Sequence, residues 1–290
     1  MNQRRRNVLP LNKVKVDDFF WNKYTRLVTD QIIPYQWEAL NDRVEDAEPS
    51  HCIKNFEIAA GLREGEFKGA VFQDTDLAKW LEAVAYSLAY EPDAELEKRA
   101  DAMIDLIGKA QQPDGYLDTY FIIKEPDKKF CNLREGHELY TAGHFMEAAV
   151  AYYQVTGKEK FLHIMQRVAD LICEVFHQEA FQRAVPGHEE VEIGLIRLYQ
   201  VTGERRYLEM AKDFVDTTVE PVVTYERGLL GGTDVIRLSG KRMDAEAWSS
   251  DALYAEKRVP LKETELTLVP YCYWGNRKTG EMQTWMKFLQ

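Results

Sequence analysis

The chain has 290 residues, 45% of them hydrophobic and 29% charged, with a formal net charge of −11. That balance suits a water-soluble chain with one large domain, or one domain and a smaller appendage. The acidity argues against nucleic acid or an anionic membrane as partner, because phosphate is repelled, and no apolar run approaches bilayer length.

The opening Met1–Asn7 is basic without an apolar stretch behind it, so no secretory signal is expected and the cytoplasm is the expected compartment. Apolar residues then recur at spacings of three and four over 21–40, 51–61, 76–90, 94–109, 138–155, 159–176, 188–201 and 205–216. That periodicity predicts about eight helices joined by short loops bearing Gly or Pro. One joint repeats: Tyr153-Gln-Val-Thr-Gly157 returns as Tyr199-Gln-Val-Thr-Gly203, 46 residues later, each followed by an aromatic-Leu pair and an Asp. Gly157 and Gly203 stand where a helix ends and the backbone turns left-handed. A repeat of that length predicts stacked helical hairpins, as in a solenoid or an α/α toroid.

After Val219 the pattern changes. Glu220-Pro221 ends the helix, and Val222–Tyr225, Asp234–Leu238, Glu265–Val269 and Met282–Met286 read as strands among glycines. The expected organisation is a helical domain over 1–219 and a small β segment over 220–290 packed on it.

Chemistry-bearing residues gather in three places. Phe72-Gln-Asp-Thr-Asp76 and Trp80 open one helix; Asp76 serves as its cap, which leaves Asp74 and Trp80 unaccounted for. Pro113-Asp-Gly-Tyr116 is a turn followed by Tyr120 and Phe121. His137-Glu138 and His188-Glu-Glu190 each follow a Gly at a predicted helix start, and in a toroid of hairpins alternate helix starts meet at one mouth. Rings to stack on, carboxylates to accept hydroxyl protons and imidazoles suit a polyhydroxylated ligand. A carboxylate pair for glycoside hydrolysis can be drawn from Asp74, Asp114, Glu138 or Glu189, and spacing does not choose among them. His144 lies two turns below His137 on the same helix face, without the i,i+4 spacing of a helical zinc pair. Cys52, Cys131, Cys173 and Cys272 are scattered, with no Cys-x-x-Cys and no disulfide framework.

Ile33–Leu40, Asn55–Gly61, Phe72–Ala83, Gln112–Phe121, His137–His144 and Gly187–Glu190, with the tail Leu266–Arg277, resemble glycoside hydrolase family 127. The resemblance implies an (α/α)6 barrel with β material, and removal of terminal L-arabinofuranose. It also implies a retaining mechanism with a zinc-bound cysteine as nucleophile and a glutamate acid/base. Carried over, it implies that Asp74, Trp80, Asp114, Tyr116, His137 and His188 bind the sugar, while the nucleophile, its zinc and the matching acid/base glutamate have no counterpart; under an enzymatic reading a remaining carboxylate such as Glu138 donates the proton. This sequence departs from the family pattern: it has no adjacent cysteines and no Glu-x-Cys, and runs directly from the eighth helix to the closing β segment. The expectation is therefore a mainly α, incomplete toroid without its zinc centre and with no cofactor of its own. Glycosidase activity is in doubt, and the alternatives are a sugar-binding relic or an interaction module. The open wall is expected to be covered by the β segment, by a second copy of the chain in a homodimer, or not at all.

Overall fold

A computed structural model describes residues 13–181 and 184–218 and the backbones of 221–226 and 235–240. Ten α-helices lie among them: α1 (Phe19–Leu27), α2 (Ile33–Leu40), α3 (Cys52–Ala59), α4 (Asp74–Tyr90), α5 (Ala94–Ala110), α6 (Thr119–Ile123), α7 (Glu138–Thr156), α8 (Lys160–Phe176), α9 (Val191–Thr202) and α10 (Arg205–Thr218). A π-helical turn, Val28–Ile32, joins α1 to α2, so the predicted helix 21–40 is one continuous rod with a widened turn. Among the described residues, no helix is long and apolar enough to cross a membrane.

The chain divides into two compact units, residues 1–182 with 186–212, and residues 183–185 with 213–290. The first is mainly α, a partial α/α toroid built on α7. Helix α7 packs against α4, α8 and α9, while α3 packs against α5 and α6. Helix α7 is buried on nearly every side, from Leu139 through Tyr152, because neighbours cover it all round. Phe145, at its middle, sits edge-on to Phe56 of α3 and Phe161 of α8, with ring centroids 6.0 and 6.3 Å away. Both repeat glycines do what their position requires: Gly157 (φ +73°) and Gly203 (φ +75°) are left-handed C-caps. In the second unit Pro221–Glu226 (β1) pairs antiparallel with Val235–Gly240 (β2), Pro221 opposite Gly240 and Glu226 opposite Val235. These strands cover the first two predicted ones; the other two lie outside the described residues.

Two helix starts differ from expectation. Helix α4 begins at Asp74, and Asp76 accepts a hydrogen bond from Gln73 Nε2 (2.6 Å) in place of capping the helix. Helix α9 begins at Val191, which leaves His188 in the preceding loop.

Candidate functional site

Three local features bring His137 and His188 together. Gly187 lies so close to the 131–136 loop that a Cβ there would stand 2.5 Å from Arg134 Cα, and its N–H donates to Leu133 O (3.2 Å). Glycine is required for that approach. His137 precedes α7 with φ +57°, a left-handed conformation, and its side chain makes no capping hydrogen bond to the helix. Its Nδ1 lies 2.7 Å from Glu135 O; a carbonyl only accepts, so Nδ1 carries the proton.

In the tautomer with Nδ1 protonated, the lone pair of His137 is at Nε2, which stands 3.0 Å from His188 Nε2. For that contact to be a hydrogen bond, His188 must donate from Nε2. The two rings lie 4.8 Å apart, tilted by 33°. Burial, then His137, lowers the pKa of His188, which favours the neutral pair. Phe72, 44% exposed, sits 5.1 Å from the His137 ring, and Tyr140 sits 5.8 Å from His137 and 5.1 Å from His188. Lys79 Nζ donates to the Tyr140 hydroxyl (2.9 Å) and so fixes that ring. The result is an imidazole donor and an imidazole acceptor side by side, bordered by aromatic rings. Such a surface can hold two neighbouring hydroxyls while a ring stacks on the C–H face of a sugar.

The other predicted site residues are placed differently. Trp80 is 1% exposed, with its indole N–H on Ile33 O (3.1 Å) and its ring 4.9 Å from Trp37; it is a core residue joining α4 to α2. Asp74 is buried, accepting from the backbone N–H of Thr119 (2.7 Å) and its hydroxyl (2.6 Å), which ties α6 to α4. Burial lifts its carboxyl to about 6. Asp114 is exposed and accepts from the Tyr116 N–H (2.9 Å) within a turn that Arg167 of α8 grips through Gln112 O and Pro113 O. Tyr116 is buried, and its hydroxyl donates to Glu138 Oε1 (2.5 Å). Glu138 also receives the N–H of Phe130 and is 3% exposed. Burial pushes its carboxyl to about 7, a suitable value for a proton donor, but both oxygens are spent on structure. Trp80, Asp74, Tyr116 and Glu138 are thus buried, each tied to another part of the chain by a hydrogen bond.

Phe72 and Tyr140 are the residues that sequence reasoning did not assign. Tyr140 had a signal in its i, i+4 spacing to His144, which puts both on one face of α7. Two clefts of about 500 and 480 Å³ lie elsewhere, one lined by Trp37, Glu57 and Lys109, the other by Tyr152 and Lys158. Neither touches the histidines.

The described cysteines do not fit a thiolate zinc centre. Cys52 and Cys173 are buried, with thiols pushed upward by desolvation, and Cys131 is exposed. Among the described residues no cysteine joins a cluster of three metal-donor groups; Cys272 lies outside them.

Residues 13–256 match the family model for the β-L-arabinofuranosidase, GH127 catalytic domain. The chain belongs to glycoside hydrolase family 127. It is 40% identical over 233 residues to a non-reducing end β-L-arabinofuranosidase of Bifidobacterium longum subsp. longum, covering 74% of this chain and 35% of that protein. Among solved structures it resembles Ara127N-Se, a GH127 β-L-arabinofuranosidase from Geobacillus stearothermophilus T6, with TM-score 0.69 and 57% identity over 70% of this chain and 32% of that one. It also resembles the GH127 β-arabinofuranosidase BT3674, with TM-score 0.65 and 34% identity over 72% of this chain and 33% of that one. The chain therefore spans about a third of the length of these GH127 relatives.

Proposed function

We propose that this GH127 chain binds a terminal L-arabinofuranose-type sugar at the His137–His188 mouth and does not cleave it unaided. The observation carrying this reading is the imidazole pair, 3.0 Å between Nε2 atoms and bordered by Phe72. An incoming sugar replaces one hydrogen bond with two: a hydroxyl donates to His137 Nε2 and a neighbouring hydroxyl accepts from His188 Nε2–H. Phe72 covers the apolar face of the ring. The relatives named for β-L-arabinofuranosidase activity supply the sugar class. The absence of unaided turnover is argued from Asp74 and Glu138, whose carboxylates are buried and engaged in hydrogen bonds.

Calorimetric titration of the full chain with L-arabinose, beside an assay on an aryl L-arabinofuranoside, tests the reading. Binding that His137→Ala weakens more than tenfold, without turnover, is the expected result; tenfold corresponds to about 1.4 kcal/mol, a typical loss for one or two hydrogen bonds. Binding indifferent to both histidines would place the sugar elsewhere. Turnover by the purified chain would restore the enzymatic reading.

A further inference from the structure

Below the mouth, α7 and the start of α9 place a second group of polar side chains together. His144 and Glu147 stand three residues apart on α7, and Glu190 is the residue immediately before α9. One donor atom from each lies within 4.8 Å of the others, and His144 Nε2 is 4.0 Å from Glu190 Oε1. Their proximity is enforced by backbone: a Cβ on Gly143 would stand 2.6 Å from Glu190 C and O, and one on Gly194 would stand 2.9 Å from Gly143 O.

Hydrogen bonding leaves the arrangement incomplete. His144 Nε2 is buried from solvent and has no hydrogen-bond partner, although its ring is locked edge-on against Tyr140, 4.5 Å away. A buried imidazole nitrogen without a partner is destabilising. Glu147 accepts from Arg197 Nε through Oε1 (2.8 Å). Around the group stand four carboxylates, Glu82, Glu147, Glu189 and Glu190, and two cations, Lys79 and Arg197. The balance is two negative charges beside an imidazole nitrogen without a hydrogen-bond partner.

We propose that His144, Glu147 and Glu190 form a divalent metal site that fastens the start of α9 to α7. One imidazole and two carboxylates are borderline-hard donors, which suit Zn²⁺ or Mn²⁺. Three ligands at about 2.1 Å from an ion in tetrahedral geometry stand about 3.4 Å apart, so the set closes with roughly an ångström of side-chain movement. The ion supplies a partner for His144 Nε2 and relieves the repulsion between Glu147 and Glu190. Because Glu190 is two residues after His188, the ion also steadies the loop that carries one half of the imidazole pair. The site stands on its own geometry and does not require the sugar reading.

The test is titration of the chelator-stripped full chain with Mn²⁺, followed by electron paramagnetic resonance of the free ion, and with Zn²⁺, followed by calorimetry. One ion per chain is expected. Glu190→Gln, isosteric and half-buried, should weaken it by more than about tenfold, and His144→Gln likewise. The double variant His137→Ala/His188→Ala should retain it. A rise in the midpoint of thermal unfolding on adding Zn²⁺, absent in Glu190→Gln, is the accompanying stability readout. No stoichiometric binding, binding unmoved by Glu190→Gln and His144→Gln, or loss confined to the His137/His188 variant would each overturn the site; the last would transfer the ion to the mouth.

Discussion

His137 shows how one backbone angle positions chemistry. With φ at +57°, a residue carrying a Cβ bears a strain of about 1 kcal/mol or more, and the Glu135 carbonyl holds the ring where that strain has placed it. Beneath it Glu138 performs structural work with an acid's pKa. Burial raises Glu138 from 4.5 to about 7 and Asp74 from 3.8 to about 6, so each binds its proton more tightly folded than unfolded. The stability they contribute is complete below about pH 4 and is lost as pH rises through about 6 to 7. His144, lowered to about 4 by burial, acts in the opposite sense: its contribution is lost as pH falls from about 6.5 to about 4. Comparing wild type with Glu138→Gln isolates one term. Urea unfolding at about pH 5 and about pH 8 should show the wild type losing on the order of 2–3 kcal/mol more than the variant between the two. Identical pH profiles would mean that Glu138 is not desolvated as described.

At the scale of elements, the contact between α7 and α9 is the tightest constraint on the mouth. Gly143→Ala puts a methyl against the Glu190 backbone, which cannot rotate away. The expected cost is about 1–3 kcal/mol by urea denaturation, with weakened sugar binding because the His188 loop shifts. An unchanged midpoint would show that α9 sits further off. Phe145→Ala empties the centre of the same helix and should cost about 3–5 kcal/mol. Most helices were legible in the sequence because each presents an apolar stripe with ordinary stops, such as the Gly157 and Gly203 caps. Helix α6 was not, because five residues, Thr119–Ile123, are too few for a periodic signal. The mouth was half legible. The pairing of His137 with His188 follows from the repeat of Gly-His before a helix. The burial and partners of Trp80, Asp74 and Glu138 were not legible, because a polar or aromatic residue near a helix start looks the same whether it faces a ligand or ties one helix to another. Only burial and partners separate the two.

For the whole molecule, length is the governing fact: the chain spans about a third of its GH127 relatives. Helices α1 and α2 carry Phe19, Phe20, Trp21, Tyr24 and Tyr35, from 45 to 98% exposed. So many exposed large rings mark a surface suited to association. Sedimentation of the chain should therefore show concentration-dependent dimerisation, weakened by Trp21→Ser; a monomer at all concentrations would contradict it. The central claim, a sugar mouth formed by two imidazoles, is tested most directly by proton–carbon correlation NMR of the histidine rings during titration with L-arabinose. The account predicts that the His137 and His188 ring signals, assigned by single substitution, move together and saturate while His51, His163 and His177 stay still. Saturable binding that leaves both of those rings unmoved would contradict it.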